Sequence, residues 1–336
     1  MPDATEQRTR AGFGVHDVFV GADGLRAGWA ILLFVFFWQA FRLMLYPLVS
    51  SVIPRQSAGE NMHPGHLIPL EAAGVVCVLA ATWLMSRIEG RQVTAYGLSE
   101  RHILRNFGVG AVCGAVLLSL LVLSLIAMGA LVFDGRQLFG AGALRYSAVW
   151  LIGFLIVGVF EELLFRGYVQ FTIARGMRGL AQRLLPRHAD AAGFWTAALM
   201  TSFYFGFGHR TNPGESPVGL VSAGLIGLAF CLSIWRTGSL WWAIGFHMAW
   251  DWAESFVYGV ADSGGMIQGH LLATHPAGQR LLSGGLTGPE GSVVVLPIIG
   301  LACCAAVLTV PRRRSVDGPE PYPQESASAA TAVTLH

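Results

Sequence analysis

Three short stretches of the 336-residue chain hold ionisable side chains inside otherwise apolar runs, and their types and spacing are those of acid–base chemistry. In GVFEELLFRGY, Glu161, Glu162 and Arg166 interrupt a membrane-like segment. Glu162 and Arg166 are four apart with the acid first, so they share a helix face and can neutralise one another. Glu161 points about 100° away and is left without that partner, which makes it the better placed of the two to act as a general base or acid. The plainer reading of the trio is a structural ion cluster. In FYFGFGHR, His209 follows Phe205, Gly206 and Gly208, and glycines there permit close backbone approach or a kink. Taken alone, His209 reads equally well as an interfacial histidine. In GSLWWAIGFHMAWDWAESF, His247, Asp251 and Glu254 fall at spacings of four and three, on one stripe of a helix. A carboxylate four residues from a histidine can fix its tautomer. Arg42 and Glu71 are the remaining cases, and both read as structural groups that pair across helices or snorkel to an interface.

These groups matter because of the elements that must carry them. Hydrophobic residues make up 54% of the chain and charged residues 12%, against roughly 25% charged in a soluble domain, and the mean hydropathy is +0.55. Apolar runs of the length a bilayer needs occur at about 28–53, 67–87, 106–133, 147–170, 192–209, 217–235, 239–260 and 292–310. They lack the alternation of a barrel strand, and a spanning segment must satisfy its backbone internally. The expected fold is therefore an all-α polytopic membrane bundle of about eight transmembrane helices. It divides into an N-terminal cytoplasmic tail (1–26) without the apolar core of a cleaved signal, a membrane-embedded domain (27–310) and a disordered cytoplasmic tail (311–336) rich in Pro, Ser, Ala and Thr.

All 22 basic residues are arginine. With both termini inside, fifteen fall on the cytoplasmic side, five fall outside, and Arg42 and Arg166 lie in the membrane, as the positive-inside rule requires. A net charge of +2 gives no sign of a nucleic-acid partner. Cys77, Cys113, Cys231, Cys303 and Cys304 all lie in expected spans without metal-finger spacing, so neither disulfides nor a thiolate zinc site is indicated. Gly110 and Gly114 form a GxxxG, and Gly219, Ala223 and Gly227 repeat small residues every four positions, both signals of close helix packing. The Gly-rich segment 261–291 is too polar to span and reads as the longest external connection, with no chemistry assigned to it.

At these residues the sequence resembles the CAAX prenyl protease and bacteriocin-processing family, also called CPBP or Abi. Its signatures EExxxR, FxxxH and HxxxN or HxxxD appear in order as Glu161 to Arg166, Phe205 to His209, and His247 to Asp251. The resemblance covers about 147–255, the motif core. It implies peptide-bond hydrolysis within the membrane, with Glu161 and His209 activating a water, His247 and Asp251 stabilising the tetrahedral oxyanion, and Glu162, Arg166 and Phe205 in support. Asp251 stands where the eukaryotic prenyl-protein enzymes usually carry Asn. An ionised Asp cannot donate a hydrogen bond to an oxyanion, so Asp251 would act protonated or through His247. No HExxH occurs, so a mechanism requiring no cofactor is favoured. Zinc held by Glu161, His209 and His247 is chemically possible as a His2Glu site and ranks second.

The expected partners are a peptide or membrane-associated protein substrate and the lipid bilayer. The absence of lysine and a GC-rich style of composition suggest a bacterial plasma membrane, where CAAX prenylation is not expected. A proton-coupled transporter would use the same residue types, and an inert membrane scaffold is a third reading. Counted at 1.5 Å per residue, Glu161 and His247 come roughly 12–15 Å from the cytoplasmic ends of their spans and His209 roughly 25 Å. Either the fifth span has other boundaries or that helix is tilted or broken near Gly206 and Gly208 if the three are to meet.

Overall fold

The computed structural model describes residues 15–21, 24–57, 59–99 and 102–310. The expected tail 311–336 and most of the expected N-terminal tail lie outside the described residues. The remainder of that N-terminal segment is folded: a short helix α1 (Val15–Phe19) leads into a small antiparallel hairpin of β1 (Val20–Gly21) and β2 (Gly24–Leu25).

Each of the eight apolar runs falls on helix. They form α2 (Ala27–Val52), α3 (Pro64–Ile88), α4 (Ile103–Ala127), α5 (Gly140–Glu162), α7 (Ala189–Gly208), α8 (Pro217–Thr237), α9 (Trp241–Asp251) and α11 (Val295–Thr309). A π-helical turn, Leu163–Val169, joins α5 to α6 (Gln170–Leu184), and a second, Trp252–Tyr258, prolongs α9. The starts follow local chemistry. His63 and Ser216 each accept a backbone N–H of the first turn, from Gly65 and Gly219, with Pro64 and Pro217 at the position where a missing N–H costs nothing. Among the described residues five helical segments are long and apolar enough to cross a membrane: α2, α3, α4, the continuous rod 140–184, and α8. Their outer faces expose large apolar side chains such as Leu32, Phe36 and Leu43 on α2 and Leu104, Val112 and Val116 on α4, the surface that lipid covers. The protein is an all-α polytopic membrane protein.

Packing places α9 at the centre. A Cβ on Gly110 would stand 2.1 Å from the carbonyl oxygen of Trp242, and one on Gly114 would stand 2.3 Å from that of Phe246. The GxxxG face of α4 therefore lies backbone to backbone against α9, a contact only small residues permit. Around it, Leu117, Leu118 and Leu121 of α4 join Trp242, Phe246 and Trp250 of α9 in the largest buried apolar cluster. At the other end of α3, the Glu89 carboxylate pairs with Arg175 at 2.5 Å and accepts from Tyr96 Oη at 2.8 Å and Tyr168 Oη at 3.1 Å. That knot anchors the rod beyond its π turn.

Segment 261–291, expected as an external connection, carries structure of its own. Its strand β4 (Leu272–Pro276) pairs antiparallel with β3 (Leu131–Arg136), which follows α4, from Leu131 opposite Pro276 to Arg136 opposite Leu272. A short helix α10 (Arg280–Ser283) follows β4. Ile267 bridges to Met62, and Gly264 N–H donates to the Thr287 carbonyl at 2.9 Å. The glycines supply turns while the polar backbone pairs with itself, so the segment folds into a cap over one end of the bundle.

Candidate active site

The C-terminal turn of α5 presents adjacent glutamates to two different environments. Glu162 and Arg166 have no solvent exposure, and Arg166 Nη1 donates to Glu162 Oε1 at 2.9 Å, the four-residue pairing expected from the sequence. The guanidinium also lies 4.0 Å from the ring centre of Phe205 and 5.6 Å from that of Phe230. These cation–π contacts compensate for Nε and Nη2, which lack hydrogen-bond partners. Room for the group exists because residue 227 is glycine, since a Cβ there would stand 2.3 Å from Nη2.

His247 enters from α9. Its Nδ1 lies 3.1 Å from Glu162 Oε1, while Nε2 lies 3.5 Å from Asp251 Oδ2 and 3.6 Å from Glu161 Oε2. Glu162, held in turn by Arg166, is thus the carboxylate on the Nδ1 side of the ring, whereas Asp251, expected from its spacing to orient the imidazole, faces the opposite nitrogen together with Glu161. Sequence spacing exposed the HxxxD pair but could not show a contact between α5 and α9.

Glu161 is the open member of the pair: its side chain is 24% exposed where that of Glu162 is 0%. It lines a cavity of ≈ 320 Å³ together with Phe205, His209, His247 and Asp251. α7 does end at Gly208, so His209 begins a tighter 3₁₀ turn and reaches the same cavity as Glu161 and His247. His209 Nδ1 lies 2.8 Å from the Phe205 carbonyl oxygen. A carbonyl only accepts, so Nδ1 carries a proton, and Nε2 is the nitrogen turned to other partners.

Three further carboxylates line this cavity, Glu71, Asp262 and Glu290. Glu71 was expected to be structural, and its counterpart Arg42 instead rests on the rings of Trp38 and Tyr46 at 5.2 and 4.9 Å. Asp262 and Glu290 come from the cap. Burial, and then the neighbouring charge of Glu290, pushes the Asp262 carboxyl up to about 8. Glu254, expected on the same stripe as His247, departs from it because the π turn after Asp251 changes the helical period. It lies buried beside Asp262 and Glu290.

A tetrahedral zinc with bonds of about 2.0–2.2 Å draws its ligand atoms close together. Among the described residues, the group of three acidic, histidine or cysteine side chains whose ligand atoms all lie within 4.8 Å of one another is Glu254, Asp262 and Glu290. Glu161, His209 and His247 do not form such a group in this ion-free arrangement.

The fold and cavity thus describe a helical membrane protein with carboxylates and imidazoles gathered in a pocket between its helices. Residues 143–253 match the family model Type II CAAX prenyl endopeptidase Rce1-like, a stretch that contains Glu161, Glu162, Arg166, Phe205, His209, His247 and Asp251. That family is one of CAAX-type peptide hydrolases. No curated protein and no solved structure matches the chain.

Proposed function

We propose that the protein is an intramembrane endopeptidase that hydrolyses a peptide bond with a water activated by Glu161 and His209. The observation that carries this reading is the unequal pair on α5. Glu162 is sealed against Arg166 and His247, while Glu161 opens into the cavity 3.6 Å from His247 Nε2. A water held by the His209 Nε2 lone pair gives its proton to Glu161 as its oxygen attacks the scissile carbonyl. The developing oxyanion is met by the Nε2–H of His247, whose ring is aimed by the Glu162 hydrogen bond at Nδ1. Asp251, 3.5 Å from that nitrogen in the resting site, steadies the ring as the N–H turns to the oxyanion. Glu161 then passes its proton to the leaving amine. Each role is assigned to a residue of this chain.

The substrate is a peptide or a membrane-associated protein segment that reaches the cavity from the bilayer, in a bacterial plasma membrane with both termini cytoplasmic. The arginine asymmetry supports this orientation. The test is cleavage of a panel of membrane and secreted peptides by the full chain in detergent, with and without chelator and with metal analysis of the same sample. Cleavage that survives chelation is expected. Stoichiometric zinc whose removal stops turnover would overturn the metal-free mechanism, and a protein that cleaves nothing under conditions where it stays folded would count against the peptidase.

A further inference from the structure

Glu254 presents a problem that the hydrolytic site does not solve. Its side chain has no exposure, and neither carboxylate oxygen has a hydrogen-bond partner. No described ion pair includes it. The nearby indole of Trp250 is committed elsewhere, donating to Glu290 Oε1 at 2.9 Å. A carboxylate in this position is costly without a cation or a proton to complete it. The carboxylate is aimed at two more carboxylates of the cap, with ligand oxygens of Glu254, Asp262 and Glu290 all within 4.8 Å of one another. The latter two are fixed from behind: Ser263 Oγ donates to Glu290 Oε2 at 2.8 Å, and Ser255 Oγ donates to Asp262 Oδ2 at 3.4 Å. A carboxylate oxygen that accepts one hydrogen bond still has a lone pair for a second partner.

We propose that Glu254, Asp262 and Glu290 bind a hard divalent cation, calcium foremost, which ties the turn 252–258 to the cap 261–291. Three carboxylates with no histidine or cysteine form an all-oxygen donor set, suited to calcium or magnesium rather than zinc. Calcium fits better, because magnesium demands a near-ideal octahedron, whereas carboxylates drawn from three separate stretches of chain suit the irregular geometry that calcium accepts. Asp262 and Glu290 also line the ≈ 320 Å³ cavity, which gives the ion a path in. The ion does not enter the hydrolytic chemistry. It holds the cap against α9, so the inference stands whether or not the protein cleaves peptides.

The experiment is thermal unfolding of the full chain in detergent after chelator treatment, with calcium chloride added back at constant ionic strength. Calcium should raise the midpoint of the parent by about 3–8 °C, with a smaller rise for magnesium and none from extra sodium chloride. Glu290→Gln and Asp262→Asn should remove most of that rise, and Glu254→Gln should remove it too where the variant folds. A parent midpoint indifferent to calcium would overturn the site and leave protons to fill the cluster. So would a calcium shift of parental size in Glu290→Gln and Asp262→Asn, which would put the ion elsewhere.

Discussion

Glu161 and Glu162 are neighbours on one helical turn, yet the two faces of that turn do opposite things. On the sealed face, Glu162 holds Arg166 and the Nδ1 side of His247 with no solvent contact. On the open face, Glu161 meets the cavity with Nε2 of the same imidazole in reach. His247 is thus gripped through one nitrogen and presented through the other. The difference shows how a membrane helix can hold two acids: one is paired with an arginine and sealed, and the other is left facing a cavity. A single residue step of about 100° separates the roles.

The comparison can be broken from the sealed side first. Arg166→Ala leaves the Glu162 carboxylate buried without its cation, and the loss of folded protein should correspond to about 3–5 kcal/mol. The double variant Glu162→Gln, Arg166→Gln should recover folding better than Arg166→Ala, measured as the monodisperse fraction after extraction. Equal yields in the parent and all variants would contradict the pairing. Next in size, His247→Ala should lower kcat by about 10²–10³, the range for losing one oxyanion donor, with thermal stability near that of the parent. A fall confined to KM would mean the ring binds substrate instead. Smallest is Asp251→Asn: Glu162 still orients the ring, and the Asn amide can itself donate, so kcat should fall by no more than about tenfold. A loss as large as that of His247→Ala would return the orienting role to Asp251.

The sequence made the helices and the sealed pair readable, because apolar length and a four-residue spacing are local properties. The Glu162–Arg166 bond follows from helix geometry alone, whereas the depth of His209 relative to Glu161 could not be settled from span boundaries. What was not readable depends on contacts between distant segments. Nothing within α9 says that Glu162, 85 residues earlier, lies against Nδ1 of His247. A uniform helical period placed Glu254 beside His247, and the π turn at Trp252–Tyr258 carries no evident sequence mark. Asp262 and Glu290 were hidden in a Gly-rich stretch whose pairing with β3 spans some 140 residues of chain.

The account rests on Glu161 as the group that exchanges a proton with water while Glu162 does not. The direct measurement is single-turnover cleavage by Glu161→Gln alongside the parent, both shown to be folded by the same thermal transition. Gln keeps the shape of the side chain and removes its capacity as a base. The rate constant of the variant should fall by about 10²–10⁴, the contribution of a positioned general base, with substrate binding unchanged. Cleavage by folded Glu161→Gln at a rate close to the parent's would contradict the central claim.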